Sequence, residues 1–215
     1  MSLPYFLPDL VEELNGCLTK DPIVPSTLRR MFLLLIRGHW SDPENFGPGL
    51  SDSLKCLHWS PDPGDSTVDI ELGGSINQDV GEHVIWITVG NYRFTKVTFG
   101  NRADYGEENA TEYRTMPCQC QILFRHEAPT VDQAYDMAWT TFCFLLGFTD
   151  PILLALGGAA ASFTPELIGE PQLKEESPAK RIRVDVGARL DINLTVATVL
   201  ESHTLKAYSL PLTVT

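Results

Sequence analysis

The sequence predicts an α+β fold in which helices pack mainly on one face of a mixed or antiparallel sheet. Three observations lead there. Apolar residues recur at every second position in 66–72, 83–99, 115–124 and 181–199. They recur with helical spacing in 8–19, 26–38 and 130–147. The order of these runs is helices first, then a strand, a long hairpin, a strand feeding a capped helix, and a final pair of strands. The 215 residues suit a single domain, 1–215, with an irregular insertion at 38–65.

The first helix is expected over 8–19, where Leu10, Val11, Leu14 and Leu18 share a face. Asp9, Glu12 and Glu13 occupy its first turn, where the helix dipole favours acids. The segment DPIVP breaks it. A second helix begins at Ser26 or Thr27 as N-cap, and LRRMFLLLIR closes at Gly38. It is apolar nearly all round, so it is expected to be buried on most sides. In 38–65, Pro43, Pro48, Pro61 and Pro63 exclude a helix. A long loop is expected, with at most one short strand at SLKCLHW.

STVDIEL then alternates Val68, Ile70 and Leu72 against Thr67, Asp69 and Glu71, as a half-buried strand does. The carboxylates Asp69 and Glu71 read as its solvent side. HVIWITV and YRFTKVTF flank Gly90-Asn91, a pair that tolerates positive φ, which predicts a long β-hairpin over 84–99. Its two faces both carry apolar side chains. Trp86, Tyr92, Phe94 and Phe99 are therefore expected at a subunit boundary.

The stretch 101–109 reads as a polar, acidic loop. A strand follows over 115–124, and HEAP ends it. The strongest helix is TVDQAYDMAWTTFCFLLG, with Thr130 and Gln133 as a capping box and Gly147 as the stop. Its expected core face is Ala134, Met137, Ala138, Thr141, Phe142, Leu145 and Leu146. Beyond it, short apolar pieces are broken by Gly and Pro, and 169–179 reads as a polar loop. The alternation after 180 keeps its parity across Gly187, which fits one long strand bent at the glycine as well as two short ones. TLKAYSLPLTVT adds a final strand. From the two polar loops, Arg102, Asp104, Tyr105, Glu107 and Glu108, with Lys174, Glu175 and Glu176, are expected to reach outward to partners.

The chemistry motifs are thin. Cys118 and Cys120 point to one face of a strand, but no matching pair of soft ligands accompanies them, so no metal site is expected. Five cysteines at irregular spacing are not a disulfide framework, and the thiols are read as reduced. No P-loop or Gly-x-Ser-x-Gly elbow occurs. No cofactor is called for. A formal charge of −12 argues against wrapping duplex nucleic acid, and no sequence-specific nucleic-acid binding is expected. No signal peptide or membrane span is read; the most apolar run, 31–36, is far shorter than a bilayer requires.

The segment CQCQILFRHEAPTVDQAYDMAWTTFCFLL, a strand passing through a short turn into a helix, resembles the centre of tail terminator and neck proteins of tailed bacteriophages. RIRVDVGARLDINLTVATV is similar to their long penultimate strand. The resemblance covers about 65–203. It implies a small α+β subunit that forms a ring, a hexamer in that family. The ring caps the tail tube and joins it to the head connector, without catalysis, cofactor or membrane. Such a protein belongs to the virion and is assembled in the host cytoplasm. The insertion at 38–65 and the double N-terminal helix depart from the family pattern. The alternative is a cytoplasmic hydrolase or transferase using His39, His58 and the loop between them.

Overall fold

A computed structural model describes residues 25–42, 46, 54–73, 81–94, 104–106, 111–156, 160–174, 181–201 and 204–208. Three helices are described: α1 (Pro25–Trp40), α2 (Val131–Gly147) and α3 (Thr149–Ala155). The strands are β1 (Asp69–Leu72), β2 (Val84–Phe94), β3 (Asp104–Gly106), β4 (Thr111–Ala128), β5 (Ala160–Lys174), β6 (Arg181–Glu201) and β7 (Thr204–Tyr208). They form one open, mixed sheet in the order β1-β2-β4-β6-β5, with β3 beside β4 and β7 beside β6. Among the described strands only β1 and β2 pair in parallel, and the other pairs are antiparallel. The fold is α+β, as the pattern of periods predicts. The expected helix at 8–19 lies outside the described residues.

The sheet is organised by the pair β4 and β6, which stay in register from Thr111↔Val199 to Ala128↔Ile182. Strand alternation sends Cys118, Cys120, Ile122, Phe124 and His126 to one face, together with Val184, Val186, Ala188, Leu190 and Ile192 of β6. Both long helices cover this face. Phe32 of α1 stacks on Phe163 of β5 at 5.7 Å and meets Phe124 edge-on at 5.8 Å. In α2, Ala134, Met137, Ala138, Thr141 and Leu145 are buried. Thr130 caps α2 by accepting from the Gln133 backbone N–H, and its own hydroxyl donates to the Gln133 side chain. The uninterrupted parity at Gly187 is realised as one strand, β6, of 21 residues.

A chain of buried hydrogen bonds ties this layer together. His126 Nδ1 lies 3.3 Å from the Val184 carbonyl, which can only accept, so Nδ1 carries the proton. Nε2 then accepts from Thr141 Oγ1 at 2.8 Å, and Thr141 Oγ1 accepts from the Trp40 indole at 3.4 Å. One helix end, a second helix and two strands are thereby joined. Burial lowers the His126 pKa to about 4, with the Val184 carbonyl and Asp185 opposing the shift.

Several expectations are corrected. No hairpin turn forms at Gly90-Asn91; β2 runs straight through it alongside β4. Asn91 does take a positive φ of 54°, but the pair makes a bulge. Gly90 faces Gln121 and Arg93 faces Gln119, so β2 carries one residue more than β4 there. A local sequence suited to a turn is overridden by a long partner strand already in place.

SLKCLHW is not a strand. Residues 54–56 turn, and Trp59 N–H donates to the Trp40 carbonyl at 2.7 Å, which fastens the segment to the end of α1. The stretches read as polar loops are partly strand. Asp104 and Tyr105 pair with Tyr113 and Glu112, and Lys174 pairs with Arg181. Pro165 and Pro171 lie within β5, where they are tolerated because among the described strands β5 borders only β6 and pairing is irregular between Ile168 and Gln172. On α2, Phe142 is half-buried and Leu146 is 56% exposed, while Thr140 and Phe144 are buried instead. The helix is turned this way because α1 meets it from the side, with His39 stacked on Phe144 at 4.3 Å.

Candidate interaction surface

The face of the sheet opposite the helices carries polar side chains contributed by four strands. Asn91 and Arg93 come from the β2 bulge, Gln119 and Gln121 from β4, Arg189 and Asp191 from β6, and Ser162 and Glu166 from β5. Register brings them together: Gln119 lies opposite both Arg93 and Asp191, and Gln121 lies opposite both Gly90 and Arg189. Gly187, flanked by Leu123 and Glu166, adds no side chain, and an open depression of about 240 Å³ forms there.

Hydrogen bonds preorganise one side of this depression. Gln119 donates to Asp191 Oδ1 at 2.9 Å, and the Ser162 hydroxyl donates to Asp191 Oδ2 at 2.6 Å. These two bonds, with Arg189 at 3.8 Å, hold the Asp191 carboxyl below its ordinary pKa. Asn91 donates to Gln121 at 3.0 Å. The lining offers amides, two guanidiniums and a carboxylate, and contains no histidine or cysteine. Ser162 is bonded directly to a carboxylate with no imidazole between them, so the arrangement lacks the nucleophile–base–orienter sequence of acyl transfer. It suits recognition of polar side chains or exposed backbone.

Toward the other end of the same face lies an ion-pair group. Glu127 is 2% exposed and pairs with Arg181 at 3.6 Å; Arg183 pairs with Asp185 beside them. The Asp185 hydrogen bond is the main cause that raises the Arg183 pKa above its ordinary value.

The residues expected at a subunit boundary are separated by the structure. Trp86 is half-buried in mid-strand, between Glu71 of β1 and Arg125 of β4. Tyr92 packs against the core beside Cys120, and burial raises its phenol well above the ordinary range. Phe94 ends β2 at 54% exposure, the one described member of the set that is open to a partner. Phe99 lies outside the described residues, as do Arg102, Glu107, Glu108, Glu175 and Glu176.

The histidines of the alternative reading occupy different settings. His39 is 4% exposed, stacked on Phe144, and its pKa is lowered to about 3 by burial. His58 sits in the irregular segment, with Nδ1 3.4 Å from Thr67 Oγ1. Among the described residues no three His, Cys, Asp or Glu side chains converge as metal ligands. Burial raises the pKa values of Cys118 and Cys120, which keeps both as thiols rather than thiolates. The polar depression was not visible in the sequence. Its only trace there is polar alternation in β4 and β6, which any solvent-facing strand shows.

The fold and surface define the chain as an α+β protein with one helix-covered sheet face and one polar face. No protein-family model matches the sequence, and no curated protein shows significant similarity to it.

Proposed function

We propose that this protein is a structural subunit of a tailed-bacteriophage virion, a tail terminator or neck component that forms a ring between tail tube and head connector. The observation that carries this reading is the β4–β6 ribbon. The two strands stay paired from Thr111↔Val199 to Ala128↔Ile182. At the Thr111↔Val199 end the pair is flanked by β3 and β7. A paired ribbon of this length is suited to contacts between subunits. The resemblance of 118–146 and 181–199 to the centre and long strand of that family supports the same reading.

In this role the chain acts by binding and not by catalysis. Its partners are copies of itself, six in the family pattern, together with tail-tube and connector proteins. Phe94 is the described side chain best placed for a subunit contact. Mass in solution tests the reading. Light scattering and negative-stain images of the purified chain are expected to show a closed ring, or an oligomer that grows with concentration. Phe94→Ser is expected to weaken it without unfolding the subunit. A strict monomer at high concentration would reject the ring.

A further inference from the structure

Helix α2 has a second apolar stripe besides the one facing the sheet. Val131, Tyr135, Trp139, Phe142 and Leu146 follow i, i+4, i+8, i+11 and i+15 spacing, so they fall along one side of the helix. Three of the five are exposed, Val131 at 42%, Trp139 at 50% and Leu146 at 56%, while Tyr135 and Phe142 between them are half-buried against the core. Trp139 and Phe142 have ring centroids 5.6 Å apart, which makes the centre of the stripe continuous. Leu154 on α3, a helix bent by 59° from α2, is 83% exposed. Among the described residues, four of the six large exposed hydrophobic side chains therefore lie on these two helices. A patch this concentrated marks a contact surface more often than scattered apolar residues do.

Charge identifies the occupant. From 127 to 173 the sequence contains no Lys, Arg or His, and the charged residues of α2 and α3 are Asp132, Asp136 and Asp150. The charges that the two helices themselves carry are thus all carboxylates, on a chain of net charge −12. A second copy would set aspartates against aspartates. An anionic lipid surface would be repelled in the same way. The acidic segment 1–24, with Asp9, Glu12 and Glu13, is like-charged too. We propose that the outer side of α2 and α3 docks an amphipathic helix of a different polypeptide, whose apolar stripe is rimmed by Lys and Arg. This is the helix-in-groove mode of recognition, with Trp139 as the anchor. It is independent of the ring proposal and holds for a monomer equally.

Two synthetic amphipathic helical peptides with the same leucine stripe, one rimmed by Lys and the other by Glu, test this on the full chain by calorimetry. The Lys peptide is expected to bind at least about tenfold more tightly than the Glu peptide. The charge-neutral double substitution Trp139→Gln with Leu146→Gln is expected to weaken it at least about tenfold, as loss of central anchors does. Leu154→Gln, on a side chain already in water, serves as a second variant should the double one unfold, and is expected to weaken binding severalfold. Lys-peptide binding that neither variant changes would mean nonspecific attraction to an acidic protein and overturn the proposal. So would equal binding of both peptides. Self-association, or capture by phosphatidylcholine vesicles, that is lost in the double variant would assign the stripe to a second copy or to lipid instead. Shielding of Trp139 from acrylamide in the isolated monomer would assign it to the chain's own segment.

Discussion

The two faces of the sheet share the same strands but are held by different physics. On the helix-covered face, Ile122, Phe124, Val186 and Leu190 are 0% exposed, and stability comes from excluding water and from close packing. On the opposite face the same strands carry Gln119, Gln121, Arg189 and Asp191, which are held by directed hydrogen bonds in contact with solvent. Apolar burial is worth roughly 1.5–3 kcal/mol per large side chain. An exposed polar contact yields a fraction of that, because water competes for the same groups. The helix face therefore contributes more to stability than the exposed hydrogen bonds of the polar face.

The largest effect expected from this contrast is at Phe124. Replacing it with alanine removes a fully buried ring that contacts Phe32 edge-on. The cost is expected to be roughly 3–5 kcal/mol in urea unfolding. A loss below about 1 kcal/mol would show that the helix layer is not the centre of the core.

The buried histidines sharpen the comparison through pH. His39 and His126 have folded pKa values of about 3 and about 4, below the ordinary 6.5. The unfolded chain therefore binds more protons than the folded one once pH drops below about 6.5, and stability falls as pH falls. Above that pH the two groups contribute no slope. At about 1.4 kcal/mol per pKa unit, each histidine is expected to remove roughly 2 kcal/mol by pH 5. Unfolding curves at pH 7, 6 and 5 measure this. His39→Phe keeps the ring stack on Phe144 and is expected to halve the loss. A flat profile between pH 7 and 5 would show that the histidines are not dry.

The smallest effect is expected on the polar face. Asp191→Asn weakens the bonds from Ser162 and Gln119, but the Asp191 side chain is 37% exposed and water replaces them. The expected loss is about 1 kcal/mol or less. Its contribution should disappear as pH falls through the lowered carboxyl pKa, the sign opposite to a group whose pKa is raised. A loss comparable with Phe124→Ala would erase the distinction between the faces.

Much of this architecture could be read from local pattern. The capping box at Thr130 and Gln133, the alternation through Cys118 to Phe124, and the unbroken parity of β6 each depend on residues close in sequence, although β4 runs on through His126 to Ala128, past the end that HEAP predicts. They identified α2, β4 and β6 and the buried side of both strands. The shared face of the Cys-x-Cys segment was legible because strand side chains two apart point the same way, and both thiols lie buried there.

What the sequence by itself determined was thus the periodicity of each element and the side that avoids water, since both follow from backbone geometry over a few residues. Tertiary structure decided everything that depends on a distant partner. Gly90-Asn91 suits a turn but becomes a bulge because β4 pairs with β2 on both sides of it. β5 accepts Pro165 and Pro171 because it lies at an edge among the described strands, a status that no local pattern encodes. Phe144 is buried and Leu146 exposed because α1 approaches α2 from one side. The polar depression exists because four strands meet at Gly187 in one register. Register and edge position are properties of pairing between remote segments, and the free energy that selects them comes from contacts that exist only once the chain has folded.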